Sequence, residues 1–188
     1  AKSVCSAATS PCSSRSTACT ALQLSCTRRA SPAAQVGATS AAPASAQNPS
    51  QIARVRGGAS CPGCNLFQAE LTNLNARGLN LSKARLRQAE LSTVVMNRAN
   101  FSGGDLRDVN AYGAVFGGAR FVRADLTHAS FVGTYLQGAN FAGANLSGTN
   151  FSGAEMDHAS GLTQSQLNRA CGDDSTRLPR GLSIPGCR

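Results

Sequence analysis

Large apolar residues recur at every fifth position between Leu66 and Met156. Of these 19 positions, 17 hold Leu, Phe or Met, and the residue two places earlier is usually small. All 15 charged residues between Cys64 and His158 fall at the other three positions of the five. The pattern therefore predicts two inward-facing and three outward-facing positions in each repeat.

A period of five matches neither a straight strand nor a helix. Residues i and i+5 lie on opposite faces of a strand, and a helix rotates them by about 140° relative to each other. The chain must therefore turn a corner in each repeat. If four repeats close one coil, residues 20 apart stack at the sheet spacing of about 4.8 Å.

Residue types at a spacing of 20 support this four-sided coil. One predicted interior ladder contains Leu66, Leu86, Leu106, Leu126 and Leu146, and a second contains Leu81, Phe101, Phe121 and Phe141. Residues 74–80 and 110–115 depart from the pattern, because Ala76 and Ala111 stand where a large residue is expected. We expect the backbone to bulge or to change turn type there.

Individual repeats carry a family resemblance. The segments Ala124-Asp125-Leu126-Thr127-His128 and Ala139-Asn140-Phe141-Ala142-Gly143 resemble units of the pentapeptide-repeat family, and the resemblance covers about 95 of the 188 residues. It implies an all-β fold, a right-handed quadrilateral β-helix. The handedness comes from the resemblance alone.

The sequence predicts four regions. Residues 1–47 form a segment rich in Ala, Ser, Thr and Pro that is expected to be disordered. Residues 48–60 are predicted to form an N-terminal cap helix, and residues 61–161 the solenoid. Residues 162–188 are predicted to form a C-terminal cap helix and tail, beginning with a capping box from Thr163 to Gln166. Caps are expected because an open β-helix exposes unpaired backbone groups at its ends.

The N-terminal segment has the composition of a targeting sequence. Residues 1–69 contain six basic residues and no Asp or Glu, which is typical of an organellar transit peptide when Ser is abundant. Arg28-Arg29 followed by Ala44-Ser45-Ala46 resembles a twin-arginine export signal with its cleavage site. A low-complexity tail is the alternative. We expect a chloroplast thylakoid lumen protein, since pentapeptide-repeat proteins are a known class there, with a bacterial periplasm or export as the alternative.

Four cysteines flank the predicted solenoid: Cys61, Cys64, Cys171 and Cys187. Nearly five coils would separate the two pairs by roughly 23 Å, which is too far for one zinc ion. We expect structural disulfides or buried thiols at the two ends. A thiol redox centre at Cys61 and Cys64 is the alternative, although no βαβ unit accompanies them.

Basic residues near the start of the solenoid form a candidate interaction patch for an acidic protein or an anionic surface. They are Arg77, Lys83, Arg85, Arg87, Arg98 and Arg107. A solvated surface is the alternative, because the repeats from Leu66 to His158 contain eight basic and seven acidic residues.

No catalytic arrangement is expected, because His128 and His158 are one and a half coils apart and the repeated serines suit turns. We expect no enzyme activity, cofactor or metal, no nucleic-acid partner and, without 18 consecutive apolar residues, no membrane insertion. The expected function is a non-catalytic scaffold that binds or stabilises another protein or complex, with a thylakoid-membrane complex as a candidate. The family also suggests a DNA mimic that interacts with gyrase, but the near-neutral repeats disfavour it.

Overall fold

The computed structural model describes residues 47–187, which belong to the second of the chain's two compact units, Ala41–Arg188. Helix α1 spans Pro49–Arg56 and helix α2 spans Gln164–Leu167. Between the helices, the chain forms single-residue parallel β-bridges separated by turns. The expected disorder and cleavage of the N-terminal segment concern residues outside the described range, Gln47 excepted.

The bridges set the size of the coil. Each joins residues 20 apart, from Asn65 with Arg85 to Asn140 with Ser160, so one coil contains four repeats. Backbone hydrogen bonds run from coil to coil at these bridges; for example, the Arg85 amide donates to the Cys64 carbonyl at 2.8 Å. The described repeats therefore form a β-helix solenoid with four sides.

The four sides are named here by their first bridge residue. Side 1 consists of residues 65–68 and the segments that follow it once per coil, at 85, 105, 125 and 145. Sides 2, 3 and 4 begin in the same way at residues 70, 75 and 80. Sides 1 and 3 are opposite each other, because two repeats make half a coil.

Each repeat turns at the two residues that follow its central apolar residue. The second turn residue has a positive φ in the repeats up to Gly153; for example, φ is 66° at Gly118 and 60° at Arg98. Glycine is common there because it lacks the Cβ that clashes in this conformation. The Asn or Asp before the central residue supports the turn, as when Asn140 Oδ1 accepts a hydrogen bond from the Ala142 amide at 2.9 Å.

The central residues fill the interior as ladders. On side 1 the ladder residues Leu86, Leu106, Leu126 and Leu146 are buried. On side 4, Phe101, Phe121 and Phe141 stack with ring centroids 5.1 Å apart and interplanar angles of 6° and 8°. This separation is close to the coil spacing of about 4.8 Å, so the rings stack because the backbone does.

The expected bulges in residues 74–80 and 110–115 were a wrong prediction. Asn75 pairs with Val95 and Asn110 with Ser130, in the same register as elsewhere. The turns in both segments keep the usual positive φ. The space left by the small central residues is occupied from the second inward position, where Val109 is 1% exposed. A change of side-chain volume is therefore absorbed without a change of backbone.

Helix α1 covers the entrance of the solenoid. Its Val55 is buried against the core. Gln51 Oε1 accepts a hydrogen bond from the Asn65 amide at 2.7 Å, and Arg56 Nε donates to the Glu70 carbonyl at 2.8 Å. These side chains pair backbone groups of the first coil, which has no preceding coil to bond.

Helix α2 covers the other end. Thr163 and Gln166 form a capping box, and Leu167 is buried. The Gln166 side-chain amide also donates to the carbonyls of Phe141 at 3.1 Å and Ala144 at 2.8 Å. One glutamine therefore caps both the helix and the last regular coil.

The C-terminal tail continues the stack irregularly. Asn150 pairs with Cys171, and Glu155 pairs with Arg177, both at a wider spacing along the chain than in the regular coils. The Cys171 amide donates to the Thr149 carbonyl at 2.9 Å. The tail thus pairs exposed edges of the fifth coil that α2 does not cover.

Candidate protein-docking side of the solenoid

The structure distributes the candidate basic patch over three sides. Arg85, Arg87 and Arg107 lie on side 1, Arg77 and Arg98 lie on side 3, and Lys83 lies on side 4. Because sides 1 and 3 are opposite, these six residues do not form one surface. Residues that are close in the sequence need not share a surface here, because two repeats carry the chain to the opposite side of the coil.

Arginines on side 1 are paired with carboxylates. Arg107 donates to both Asp105 oxygens, from Nε at 2.7 Å and from Nη2 at 2.6 Å, and lies 3.7 Å from Asp125. Arg87 lies 3.5 Å from Asp108. The hydrogen bond from Arg107 lowers the pKa of Asp105, and the same bond raises the pKa of Arg107. In each pair the negative charge of the carboxylate offsets the positive charge of the arginine.

Side 3 differs from the other sides in its row of bridge residues. Val95, Val115 and Tyr135 follow one another in successive coils. On the other three sides this position holds Asn, Asp, Glu, Arg or Ser in every described repeat. Val95 and Val115 are half-buried, and Tyr135 is 42% exposed. Side 3 therefore presents an apolar row where its neighbours are polar.

A shallow groove of about 720 Å³ runs along this side. Its lining comes from four successive coils and includes Arg77, Asn97, Arg98, Gly118, Tyr135 and Gln137. Three steps of about 4.8 Å separate the first and fourth coils, so the groove is roughly 14 Å long.

Gly117 keeps the floor of the groove open. A Cβ at this residue would lie 2.8 Å from Asn97 Oδ1 and 3.2 Å from Tyr135 Cε1. Asn97 Oδ1 instead accepts a hydrogen bond from the Gly117 amide at 2.8 Å. The missing side chain thus lets Asn97 close against the backbone and leaves the Tyr135 ring in place.

The groove is positively charged at one end. Within residues 47–187, Arg77 and Arg98 form no side-chain hydrogen bond or ion pair. The first acidic residues of side 3 are Glu155 and Asp157, in the fifth coil. Asp157 accepts a hydrogen bond from Gln137 Nε2 at 2.5 Å. The groove therefore runs from two arginines to a carboxylate just beyond its other end.

Sequence reasoning missed this surface, although a signal for it was present. The apolar row appears when the bridge position is read at steps of 20, as Asn75, Val95, Val115, Tyr135 and Glu155. Reading the charged residues in the same way separates the arginines of side 3 from those of side 1. The groove itself could not be predicted from the sequence, because its depth depends on how Asn97 and Tyr135 pack around Gly117.

The four flanking cysteines form two disulfides, Cys61 with Cys64 and Cys171 with Cys187. The first lies at the entrance, where the Cys61 amide donates to the Asn80 carbonyl at 2.9 Å. The second closes the tail beyond α2. The structure thus brings each pair together at its own end of the solenoid.

Three further features of residues 47–187 concern metal ligands, membrane-spanning helices and a carboxyl group with a shifted pKa. Among residues 47–187, no three His, Cys, Asp or Glu side chains are arranged to hold a metal ion. No helix in this range has the length and apolarity needed to cross a membrane. Asp173 accepts hydrogen bonds from the Ser175 hydroxyl and the Gly153 amide, which lower its pKa to about 2.

Solved structures resemble the chain at low identity. HetL, a pentapeptide repeat protein involved in heterocyst differentiation regulation in the cyanobacterium Nostoc, is 22% identical over 68% of this chain and 60% of its own, with a TM-score of 0.40. A pentapeptide repeat protein from the Arabidopsis thaliana thylakoid lumen is 24% identical over 62% and 63%, with a TM-score of 0.28. QnrB1, a plasmid-mediated fluoroquinolone resistance protein, is 16% identical over 69% and 86%, with a TM-score of 0.29.

The chain spans about three fifths of the length of the first two of these proteins. No curated protein sequence matches it significantly. The family model of pentapeptide repeats matches eight copies, over residues 57–88, 64–103, 78–110, 105–141 and 134–171. These matches cover more than half of the sequence and coincide with the coils described above. The chain belongs to the pentapeptide-repeat family.

Proposed function

We propose that this protein is a non-catalytic scaffold that binds or stabilises another protein or complex. The observation that carries the proposal is the apolar row of half-buried Val95, half-buried Val115 and exposed Tyr135 on side 3, whose Tyr135 lines the groove. Apolar residues grouped on a surface and rimmed by polar ones mark interaction sites, and Tyr and Arg are enriched in protein interfaces.

The backbone beneath this row supports the proposal because it is held on both sides. The Tyr135 amide donates to the Ala114 carbonyl of the preceding coil at 2.9 Å, and the Thr134 carbonyl accepts from the Glu155 amide of the following coil at 3.0 Å. A surface that is already ordered loses little conformational entropy when a partner binds. The solenoid therefore suits a role in which its side serves as a fixed template.

Site-specific crosslinking tests the proposal. A photoreactive amino acid is placed at Gln137 in the groove or, as the matched control, at Ser147, which occupies the same repeat position on side 1. In cells of the native source we expect a discrete crosslinked partner from position 137 and none from position 147. Equal crosslinking from both positions, or none from either, would contradict docking on side 3.

We also propose a thylakoid lumen location, with a bacterial periplasm or export as the alternative. The acid-free, Ser-rich composition of residues 1–47 supports targeting. The two disulfides support an oxidising compartment. The intact mass of protein purified from native cells tests this, since the mature chain should begin near residue 47. A mature chain that retains Cys5 would exclude the targeting role.

The division of the chain is part of the same proposal. It comprises a cleaved segment at residues 1–47, a cap at 48–60, a right-handed quadrilateral solenoid at 61–161, and a cap with tail at 162–188.

The two alternative functions gain no support from side chains of the described residues. A gyrase-interacting DNA mimic needs an acidic surface, whereas Arg77 and Arg98 on side 3 are unpaired among residues 47–187. A thiol redox role for Cys61 and Cys64 needs a sulfur that a substrate can reach, whereas Cys61 is 3% and Cys64 is 6% exposed.

A further inference from the structure

We propose that the groove of side 3 binds an extended acidic segment of a partner protein, in which carboxylates precede an apolar or aromatic residue. The inference rests on the proposed scaffold function and specifies the chemistry of the partner. It is argued from the length of the groove, its charge and the Tyr135 side chain that lines it.

The length of the groove suits a short extended segment. An extended chain advances about 3.3 Å per residue, so a groove of roughly 14 Å accommodates about four residues. The glycines at positions 117 and 118 remove two side chains from the floor. A partner's main chain can therefore approach the solenoid backbone closely.

The charge of the groove selects carboxylates and orients them. Arg77 and Arg98 belong to the first two coils and have no ionic partner among residues 47–187. The arginine guanidinium matches a carboxylate with two parallel hydrogen bonds. Asp157 lies beyond the fourth coil and repels a carboxylate there. We therefore place the acidic part of the segment over the arginines and its apolar part beside Tyr135.

Charge complementarity also separates the possible occupants. Residues 1–46 of this chain contain no Asp or Glu and carry four basic residues, so the arginines of the groove would repel them. A second copy could offer the carboxylates of side 1, but Asp105 and Asp108 already contact Arg107 and Arg87. The proposed occupant is therefore a different protein.

Two double variants isolate the charge of the groove. R77Q/R98Q removes both groove arginines, and glutamine already stands at the equivalent repeat positions, at Gln137 for the first and Gln88 for the second. Gln88 has a φ of 58°, close to the 60° of Arg98, so the backbone tolerates the change. The matched control K83Q/R123Q removes two cations of side 4 from the same repeat position as Arg98. Both variants therefore lower the net charge equally.

Fluorescence anisotropy with the full-length protein provides the test. The probe is a fluorescein-labelled peptide of three glutamates followed by tyrosine and valine, and its counterpart has lysines instead of glutamates. We expect the acidic peptide to bind, and R77Q/R98Q to weaken binding about tenfold or more. K83Q/R123Q should change the affinity by less than about twofold. Y135S should weaken binding several-fold, because it removes the aromatic contact. The lysine peptide should not bind.

Other outcomes overturn the inference. Absence of binding by the acidic peptide, or equal losses in R77Q/R98Q and K83Q/R123Q, would contradict it. Tighter binding of a duplex DNA oligonucleotide or of inorganic phosphate than of the peptide would assign the groove to a different anion. A partner that crosslinks from position 137 as efficiently in R77Q/R98Q as in the wild type would support the scaffold function and contradict the recognition of an acidic segment.

Discussion

The Thr149 hydroxyl donates a hydrogen bond of 2.9 Å to the carbonyl oxygen of Leu126, 23 residues earlier in the chain. Thr149 is fully buried at an inward position that alanine occupies in most repeats. The Leu126 carbonyl also accepts a hydrogen bond from the Ala129 amide at 3.0 Å. A hydroxyl fits this core because the carbonyl has a second lone pair for it.

Replacement of Thr149 by Val should lower the free energy of unfolding by about 1 kcal/mol. The loss is modest because the Leu126 carbonyl keeps its bond to Ala129. Equilibrium unfolding in urea measures it. Thr72→Val removes an exposed hydroxyl and should change stability by less than about 0.5 kcal/mol. Equal effects of the two substitutions would contradict the role assigned to the buried bond.

Gly161 stands where the chain leaves the regular coils, and it cannot accept a side chain. Its φ is 73°, and a Cβ there would lie 2.6 Å from the Ala142 backbone nitrogen. Gly161→Ala should therefore lower stability by roughly 2–4 kcal/mol. Gly181→Ala is the matched control, because its φ is 82° but nothing lies within 4 Å of the added Cβ. The control substitution should lower the free energy of unfolding through backbone strain alone, by about 1 kcal/mol. Melting temperatures that fall equally in both would contradict the clash with Ala142.

Acid should loosen the C-terminal tail through Asp173. Its pKa in the folded protein is lowered to about 2 by hydrogen bonds from Ser175 and Gly153. A carboxyl with a depressed folded pKa stabilises the protein above its unfolded pKa of about 3.9 and loses that contribution as pH falls toward the folded value. The melting temperature should therefore decline between about pH 4 and pH 2. Asp173→Asn should flatten this decline, and a parallel decline in the variant would refute the assignment.

The disulfide between Cys171 and Cys187 should stabilise the protein more than the one between Cys61 and Cys64. The first joins residues 16 apart and the second joins residues 3 apart. Closing the longer loop should contribute about 3 kcal/mol in the chain-entropy model. Unfolding of C171S/C187S and C61S/C64S measures the difference. Peptide mapping without reductant should recover both pairs, and a link between Cys61 and Cys187 would contradict the separation of the two ends.

Much of the solenoid is predictable from the sequence because a local rule repeats. Every repeat must choose which side chains face inward, so the interior positions of Leu126 and Phe121 follow from a period of five. The coil of four repeats follows from the likeness of residues 20 apart, and the bridges have that spacing. Hydrophobic burial acts on each repeat in the same way, so the inward positions can be predicted from the period of five in the sequence.

Contacts that break the repeat were decided only by the tertiary structure. The docking of Gln166 on the carbonyls of Phe141 and Ala144 depends on where the chain leaves the last coil, which no period specifies. The groove of side 3 depends on the packing of Asn97 and Tyr135 around Gly117, across three coils. Side-chain positions of this kind are set by distant neighbours through short-range contacts, so the sequence by itself determined the solenoid and its inward positions, while the folded coil decided which outward residues meet.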